Sequence, residues 1–188
     1  MFTTIILGAG KSTRMKANKS KLLFDIAGKP IVKHIIDAAK MANSKQVVCV
    51  VNNKSPGLKK ILLEDNVKIA VQQKLDGTAG AAKSGLDNIS KHDQNILILC
   101  GDTPFISSSS IRKIVSKLKS YDVCVGTVEL DKPKGYGRIV RENNKMVQII
   151  EEKDTSLDQR QIKEVNTGVI AIKSSLLKKY LGKIKNNN

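Results

Sequence analysis

A loop that could bind phosphate follows the first apolar segment of the chain. It runs Leu7-Gly8-Ala9-Gly10-Lys11-Ser12-Thr13-Arg14-Met15, and Lys21 follows soon after. Glycines let backbone N–H groups approach an anion, a guanidinium can fork onto phosphate oxygens, and a lysine supplies a mobile charge. Ile5 and Thr13 stand where a P-loop and a dinucleotide fingerprint require glycine. The loop therefore predicts phosphate binding of another type, with a simple strand-to-helix turn as the alternative.

Two further loops carry polar side chains that could bind a nucleotide. Asp102 directly follows an apolar segment, in a Gly-Asp-x-Pro turn. Its carboxylate suits Mg²⁺, and an Asx-turn is the alternative. Gln72 precedes Gly77-Thr78 by five residues. A side-chain amide can pair with the edge of a pyrimidine, whereas Thr78 could also cap a helix.

Alternating strands and helices would position these loops. Ligands bind beyond the carboxyl ends of parallel strands. The loops after the first, third and fourth strands are therefore the expected binding site. The predicted strands are Thr3–Leu7, Gln46–Val51, Val67–Val71 and Asn95–Cys100, with helices from Gly28-Lys29-Pro30 onward, over Leu58–Glu64, from about Thr78 to Ile89, and after Ser110. Later segments predict a hairpin of Arg138–Glu142 and Met146–Glu151, a strand Glu164–Lys173 and a helix Ser174–Ile184. The fold class is α/β, with a Rossmann-like, mostly parallel sheet flanked by helices and a small antiparallel hairpin insertion.

The composition predicts a folded protein with an aliphatic core. The chain has 188 residues, a net charge of +16, three Phe, three Tyr and no Trp. Few aromatic residues and dispersed lysines argue against a nucleic-acid partner. The three cysteines are widely spaced, which predicts buried thiols and no disulfide framework. No apolar run is long enough for a membrane helix, so no membrane insertion and a cytoplasmic location are expected.

Six motifs, in the same order along the chain, resemble those of sugar-1-phosphate nucleotidyltransferases. Together they narrow the resemblance to one branch of that family, the bacterial N-acetylglucosamine-1-phosphate uridylyltransferases. The first is Leu-x-Ala-Gly-x-x-Thr-Arg-Met with Lys21 and Gly28-Lys29-Pro30. The others are Gln72-x-x-x-x-Gly77-Thr78-x-x-Ala81, Gly101-Asp102-Thr103-Pro104, Gly135-Tyr136-Gly137-Arg138-Ile139, Glu151-x-Lys153-Asp154 and Val165-Asn166-Thr167-Gly168.

The resemblance implies the nucleotide-diphospho-sugar transferase fold and transfer of a uridylyl group from UTP to N-acetylglucosamine 1-phosphate. The products would be pyrophosphate and UDP-N-acetylglucosamine, a precursor for peptidoglycan and lipopolysaccharide synthesis. It implies catalytic roles for Arg14 and Lys21, and Mg²⁺ as cofactor on Asp102. The implied substrate-binding residues are Leu7, Gly8, Ala9, Gly10, Lys21, Gln72, Gly77, Thr78, Gly101, Asp102, Gly137, Glu151 and Asn166. His34 and His92 are expected to have structural or solvent roles.

The resemblance extends from Thr4 to Asn188 but covers part of the family protein. The expectation is one incomplete domain over residues 1–188, without the family's second metal ligand, an Asn, and without the left-handed β-helix through which it oligomerises. Ser12 and Ser20 replace a usual Gly and Pro, and Ser20 is expected to loosen the loop before Lys21.

Three alternatives stay open at this point. The chain could transfer a nucleotide to another sugar phosphate, could bind nucleotide without catalysis, or, on charge alone, could bind nucleic acid.

Overall fold

The computed structural model describes residues 1–10, 19–90 and 94–184. The chain divides into two compact units. The first comprises residues 1–124 and 171–188, and the second comprises Val125–Ile170.

The described residues form strands and α-helices in the following order. The strands are β1 (Thr3–Leu7), β2 (Asp25–Ile26), β3 (Lys29–Pro30), β4 (Gln46–Val51), β5 (Lys68–Val71), β6 (Asn95–Cys100), β7 (Val123–Glu129), β8 (Arg138–Glu142), β9 (Lys145–Ile150) and β10 (Glu164–Lys173). The helices are α1 (Ile31–Met41), α2 (Pro56–Glu64), α3 (Gly77–Leu86), α4 (Ser108–Ser116) and α5 (Ser174–Leu181).

A parallel sheet in the order β5-β4-β1-β6 is the centre of the first unit. Its strands are almost continuous apolar runs, and side chains such as Ile5, Ile6, Val48 and Leu99 are fully buried. Such runs are typical of parallel strands covered on both faces. The bounds predicted for β1, β4 and β6 are confirmed.

Helices cover this sheet, with α1 packed on α4 and α3 packed on α5. Helix α1 buries Val32, Ile35 and Ile36, which recur at helical spacing. Helix α3 consists mostly of small residues, with Lys83 and Leu86 as the exceptions, and it lies very close to β1. A Cβ on Gly85 would come within 2.5 Å of Cγ2 of Ile5.

The second unit contains the predicted antiparallel hairpin. Strands β8 and β9 pair through a turn at Asn143 and Asn144, whose φ angles are +48° and +62°. Asparagine tolerates this left-handed conformation, as a two-residue hairpin requires. Strand β9 runs Lys145–Ile150, one residue earlier than predicted at both ends. With this hairpin, the predicted fold class is confirmed.

A small hairpin that the sequence did not predict leads into α1. Strands β2 and β3 pair antiparallel around Ala27 and Gly28, both at positive φ. Helix α1 then begins at Ile31, with Pro30 at the N-cap position instead of in the first turn. Nε2 of His34 lies 2.9 Å from the carbonyl oxygen of Ile26, in agreement with the structural role predicted for this histidine.

No helix in the described part of the chain is long and apolar enough to cross a membrane.

Candidate active site

The predicted loops leave the same edge of the parallel sheet. Gly8 N–H donates to the carbonyl oxygen of Val50 (2.8 Å), and Gly101 N–H donates to that of Leu7 (3.0 Å). One strand further along, Gln72 N–H donates to the carbonyl oxygen of Val51 (2.9 Å). The register of the sheet therefore brings together the loops after β1, β5 and β6 at their carboxyl ends, where open α/β sheets bind ligands.

An ion pair joins the two charged side chains that the sequence assigns to the triphosphate and the metal. Nζ of Lys21 lies 2.5 Å from Oδ2 of Asp102, with the side chains 28% and 46% exposed. Among the described residues, Lys21 is the only hydrogen-bond and ion-pair partner of the Asp102 carboxylate, which accepts no backbone N–H as an Asx-turn would require. A cation and a carboxylate thus face solvent side by side at the carboxyl end of β6.

The buried side chain of Leu22 fixes the position of the Lys21–Asp102 pair. It is 1% exposed and follows Lys21 in a short 3₁₀ turn. A Cβ on Gly8 or on Gly101 would come within 2.9 Å of Cδ1 of Leu22. These two glycines therefore make room for a buried leucine, and the neighbouring lysine is directed to Asp102 as a result.

The glycines of the first loop have different roles in the structure. The N–H of Gly8 is used inside the sheet, so it is not a donor to a phosphate here. Gly10 is exposed, and a Cβ built on it meets no described atom within 4 Å. The sequence does not distinguish these positions, because the close contacts of Gly8 come from β4 and Leu22, far away in the chain.

This difference predicts opposite outcomes for two alanine substitutions. Gly8→Ala places a Cβ 2.9 Å from the backbone oxygen of Val50, and we expect it to destabilise the fold by about 1–3 kcal/mol. Gly10→Ala is the matched control and should change stability by less than about 0.5 kcal/mol. Urea unfolding measures both, and equal midpoints for the two variants would refute the packing role of Gly8.

Ser20 stabilises the turn that carries Lys21. Its side-chain oxygen accepts a hydrogen bond from Leu22 N–H at 3.4 Å, at the N-cap position of the turn. The sequence predicted that serine would loosen this segment in comparison with proline. That comparison stays a prediction, and the hydrogen bond shows that Ser20 caps the turn.

Asn52 is a contact of the first loop that the sequence reasoning missed. Its Nδ2 donates to the carbonyl oxygen of Ala9 (3.0 Å), while its Oδ1 accepts from Lys54 N–H and from the Ser55 hydroxyl. Asn52 directly follows β4, so it connects two loops at the carboxyl edge of the sheet. Its position just after an apolar strand was the available signal.

Gln72 lies in the loop between β5 and α3, but it is only 5% exposed. Its Nε2 donates to Oδ1 of Asp76 (2.8 Å) and to the carbonyl oxygen of Gly77 (3.2 Å). Gly77 has a φ of +91°, which favours glycine, and Thr78 is exposed. Asp76 takes the N-cap position of α3 without a side-chain cap, so Thr78 is not the N-cap.

A cleft of about 380 Å³ lies beside this loop. It is lined by Gln72, Asp76, Gly80 and Ser84 among others. Its volume falls in the range of small-molecule sites. Gly77 and Thr78 are not part of its lining.

The second unit brings together the three residues that the sequence assigns to the sugar. Asn166 N–H donates to the carbonyl oxygen of Gly137 (2.9 Å). A Cβ on Gly137 would lie 3.4 Å from Oε1 of Glu151, so the carboxylate lies directly against this glycine. The Glu151 carboxylate and the Asn166 backbone thus both adjoin Gly137 within the unit, and Oδ1 of Asn166 accepts from Gly168 N–H at 2.9 Å.

A buried arginine supports the turn that precedes Gly137. Arg138 is 2% exposed, donates from Nη1 to the carbonyl oxygen of Tyr136, and pairs through Nη2 with Oε2 of Glu152 at 2.8 Å. The same carboxylate accepts from Gly135 N–H at 3.1 Å. Nε of Arg138 has no hydrogen-bond partner among the described residues. Since a buried charge needs compensation, Glu152 is essential to this turn.

The lowered pKa values of two carboxylates in the second unit lead us to predict that acid destabilises this unit. The Gly135 N–H and the Arg138 guanidinium lower the pKa of Glu152 below its ordinary value. The two-point contact with Arg141 likewise lowers the pKa of Glu164. A group whose folded pKa is depressed contributes stability above its unfolded pKa, about 4.3 for glutamate, and loses it as the pH falls through the folded value.

The melting temperature should therefore fall as the pH drops below about 4.3, and less steeply in Glu164→Gln. Circular dichroism melts from about pH 7 to about pH 3 test this. Glu142→Gln on β8 removes an exposed glutamate and is the control. The same acid dependence in Glu164→Gln and in the unsubstituted protein would contradict the assignment.

The cysteines near the sheet are unreactive thiols. Burial raises the pKa of Cys49 to about 12, and it also raises the pKa of Cys100, which precedes Gly101. None of the three cysteines is in a disulfide, and Cys49 is fully buried while Cys100 and Cys124 are half-buried. A protonated thiol is a poor nucleophile, so none of them is suited to covalent catalysis.

Arg14, predicted as catalytic, and His92 lie outside the described residues, as does Ser12. Their predicted roles stay predictions.

Asp102 is the described residue that fits Mg²⁺ at the carboxyl edge. The part of the chain in the structure contains no cluster of three or more His, Cys, Asp or Glu side chains suited to a metal. Mg²⁺ in phosphate-transfer sites commonly uses one or two carboxylates and takes its remaining oxygens from phosphates and water. A single exposed carboxylate beside a lysine is compatible with that mode, but not with a metal held by protein ligands alone.

Comparison with solved structures agrees with this architecture. A candidate glucose-1-phosphate thymidylyltransferase from Bacillus anthracis, solved with sucrose, superposes with a TM-score of 0.82 at 20% identity, over 98% of this chain and 76% of that one. HddC from Yersinia pseudotuberculosis superposes with a TM-score of 0.78 at 21% identity, over 96% and 80% of the two chains. The fold is therefore that of the nucleotide-diphospho-sugar transferases.

The sequence itself matches the family described as MobA-like NTP transferase domain over residues 4–152. That match includes the loop after β1, the Lys21–Asp102 pair and the loop after β5. The chain therefore belongs to the MobA-like NTP transferase domain family.

Proposed function

We propose that this protein transfers a uridylyl group from UTP to N-acetylglucosamine 1-phosphate. An oxygen of the sugar phosphate would attack the α-phosphorus of UTP. The new P–O bond forms as the bond to the pyrophosphate oxygen breaks, giving UDP-N-acetylglucosamine and pyrophosphate. The nucleophile is already an anion at neutral pH, so the reaction needs no general base.

The observation that carries this proposal is the Lys21–Asp102 pair beside the loop Gly8–Gly10. Phosphoryl-type transfer depends mainly on positioning and charge neutralisation, and a lysine with a carboxylate at a glycine loop supplies both kinds of group. Lys21 would neutralise the triphosphate, and Arg14 would contribute the second cation. Mg²⁺, when bound at Asp102, would neutralise the charge of the phosphates.

The loop Gln72–Thr78 supports the part of the proposal in which the protein recognises the base of the nucleotide. It lies at the same sheet edge, two strands from β1, and contains a buried side-chain amide and a glycine at positive φ. Within the second unit, the cluster of Gly137, Glu151 and Asn166 offers a carboxylate and an amide for sugar hydroxyl and acetamido groups. We assign the base to the loop and the sugar to the cluster.

The second candidate function is transfer of a different nucleotide to a different sugar phosphate. The observation that favours it is the fold shared with a candidate glucose-1-phosphate thymidylyltransferase. A pyrophosphate-release assay with UTP, dTTP, CTP and GTP, each with N-acetylglucosamine 1-phosphate or glucose 1-phosphate, separates the two. We expect the fastest release with UTP and N-acetylglucosamine 1-phosphate, and none after chelation of divalent ions. Faster release with another pair would replace the proposed substrates, and calorimetric binding of UTP without any release would show a non-catalytic nucleotide-binding protein.

A further inference from the structure

The orientation of the Gln72 side-chain amide is determined by its neighbours. Its Nε2 lies 2.8 Å from a carboxylate oxygen of Asp76 and 3.2 Å from the carbonyl oxygen of Gly77. Both neighbours accept hydrogen bonds and cannot donate them. Exchanging the nitrogen and oxygen of the amide would place three acceptors together, so only one orientation is compatible with this loop.

The consequence is that Gln72 offers a ligand an acceptor and not a donor. Both amide hydrogens are directed to the loop itself. Its Oε1 accepts no hydrogen bond from the described residues and is not among their buried unpartnered atoms. This oxygen is therefore accessible. An acceptor in this position pairs with a ring N–H and repels a ring nitrogen that carries a lone pair.

We infer that Asp76 is a specificity-determining residue, which fixes Gln72 as an acceptor and so selects bases with a ring N–H on their pairing edge. Uracil, thymine and guanine carry such an N–H, whereas cytosine and adenine present an acceptor nitrogen. The inference rests on the proposed function, in which this loop receives the base. Asp76 acts through Gln72 and is not itself a contact of the base.

Gly80 provides a second, independent way to move the Asp76 carboxylate. A Cβ on Gly80 would lie 1.7 Å from Oδ1 and 2.4 Å from Cγ of Asp76. The carboxylate thus occupies the space above this glycine in the first turn of α3. Gly80→Ala would displace the carboxylate from Gln72 without changing its charge, whereas Asp76→Asn changes its chemistry without adding bulk.

The test is the ratio of UTP to CTP affinity, measured by titration calorimetry on the full chain with Mg²⁺. We expect the unsubstituted protein to prefer UTP by at least about tenfold, because an acceptor that is covered by the base and faces a ring lone pair loses a hydrogen bond. In Asp76→Asn the introduced side-chain amide can either donate or accept, so only the longer contact with the Gly77 carbonyl (3.2 Å) still holds the Gln72 amide, and the ratio should fall. Gly80→Ala should lower it as well, and melting curves verify that both variants fold.

Asp122→Asn is the matched control, because Asp122 is an exposed carboxylate paired with Lys173 at 2.6 Å. Its ratio should equal that of the unsubstituted protein. A preference for UTP that persists in both Asp76→Asn and Gly80→Ala would overturn the inference while leaving the proposed function intact. Equal affinities for UTP and CTP in the unsubstituted protein would also overturn the inference. If neither nucleotide bound, both the inference and the proposed function would be overturned.

Discussion

Replacing Lys21 with alanine is expected to lower kcat/KM for UTP by about 10²–10³-fold, the range for loss of one charge-stabilising group at a reacting centre. The ammonium group lies 2.5 Å from Asp102 at the carboxyl edge of the sheet, where the triphosphate is proposed to bind. Removing it leaves the phosphate charge and the carboxylate without this cation. Pyrophosphate release at several UTP concentrations measures the loss.

The same substitution should leave the fold nearly unchanged. Lys21 and Asp102 are both partly exposed, and ion pairs of this kind contribute about 0–1 kcal/mol to stability. For a chain of this length, 1 kcal/mol corresponds to about 2–4 °C in melting temperature. A larger drop in melting temperature would point to a structural role.

Lys173→Ala is the control for loss of a lysine–aspartate pair elsewhere in the first unit. Lys173 pairs with Asp122 at 2.6 Å. It lies at the amino end of β6, since Ser174 N–H donates to the carbonyl oxygen of Gln94. It should keep kcat/KM within about twofold, by the small effect of surface changes away from a site. Equal losses of activity in Lys21→Ala and Lys173→Ala would argue against a specific role of Lys21.

Replacing Asp102 with asparagine is expected to lower turnover to a similar degree and to weaken the binding of the divalent ion. The two side chains have nearly the same size, and asparagine keeps an oxygen that can accept from Lys21. The change therefore removes the negative charge with little change in packing. Mg²⁺ prefers charged oxygen ligands, so its half-saturating concentration should rise at least about tenfold.

Metal binding can be followed separately from catalysis. Electron paramagnetic resonance with Mn²⁺ and UTP reports the bound ion directly. We expect Asp102→Asn to reduce the bound fraction, and Asp122→Asn to leave it unchanged. Unaltered Mn²⁺ binding in Asp102→Asn would place the ion on other ligands.

Much of the fold could be predicted from the sequence because its signals are local. The apolar runs of β1, β4 and β6 end where glycine or a polar residue follows, and their bounds agree with prediction. Helix α3 ends at Leu86 instead of Ile89. Asn88 and Ile89 donate to carbonyl oxygens three residues earlier, so the last turn is not α-helical. Hydrogen bonding at a helix end is decided by local competition that residue types alone do not reveal.

The candidate site was predictable in its polar residues but not in their supports. Lys21 and Asp102 stand out by charge next to glycines. Leu22 does not stand out, although it packs against the Cα positions of Gly8 and Gly101. Asn52 was also missed, because its partner Ala9 comes close only when β1 and β4 are in register. Asp76 was missed although its partner Gln72 is only four residues away, because residue types do not reveal how this loop folds back on itself. Contacts between distant segments depend on the fold, and spacing in the sequence does not encode them.

The most direct test is a crystal structure of the protein with UTP and Mg²⁺. We predict the triphosphate against the loop that follows Gly8, in contact with the backbone of Ala9 and Gly10, with Nζ of Lys21 on a phosphate oxygen and the metal bound to a carboxylate oxygen of Asp102. A triphosphate bound at any other edge of the sheet, or a metal without Asp102 among its ligands, would contradict it.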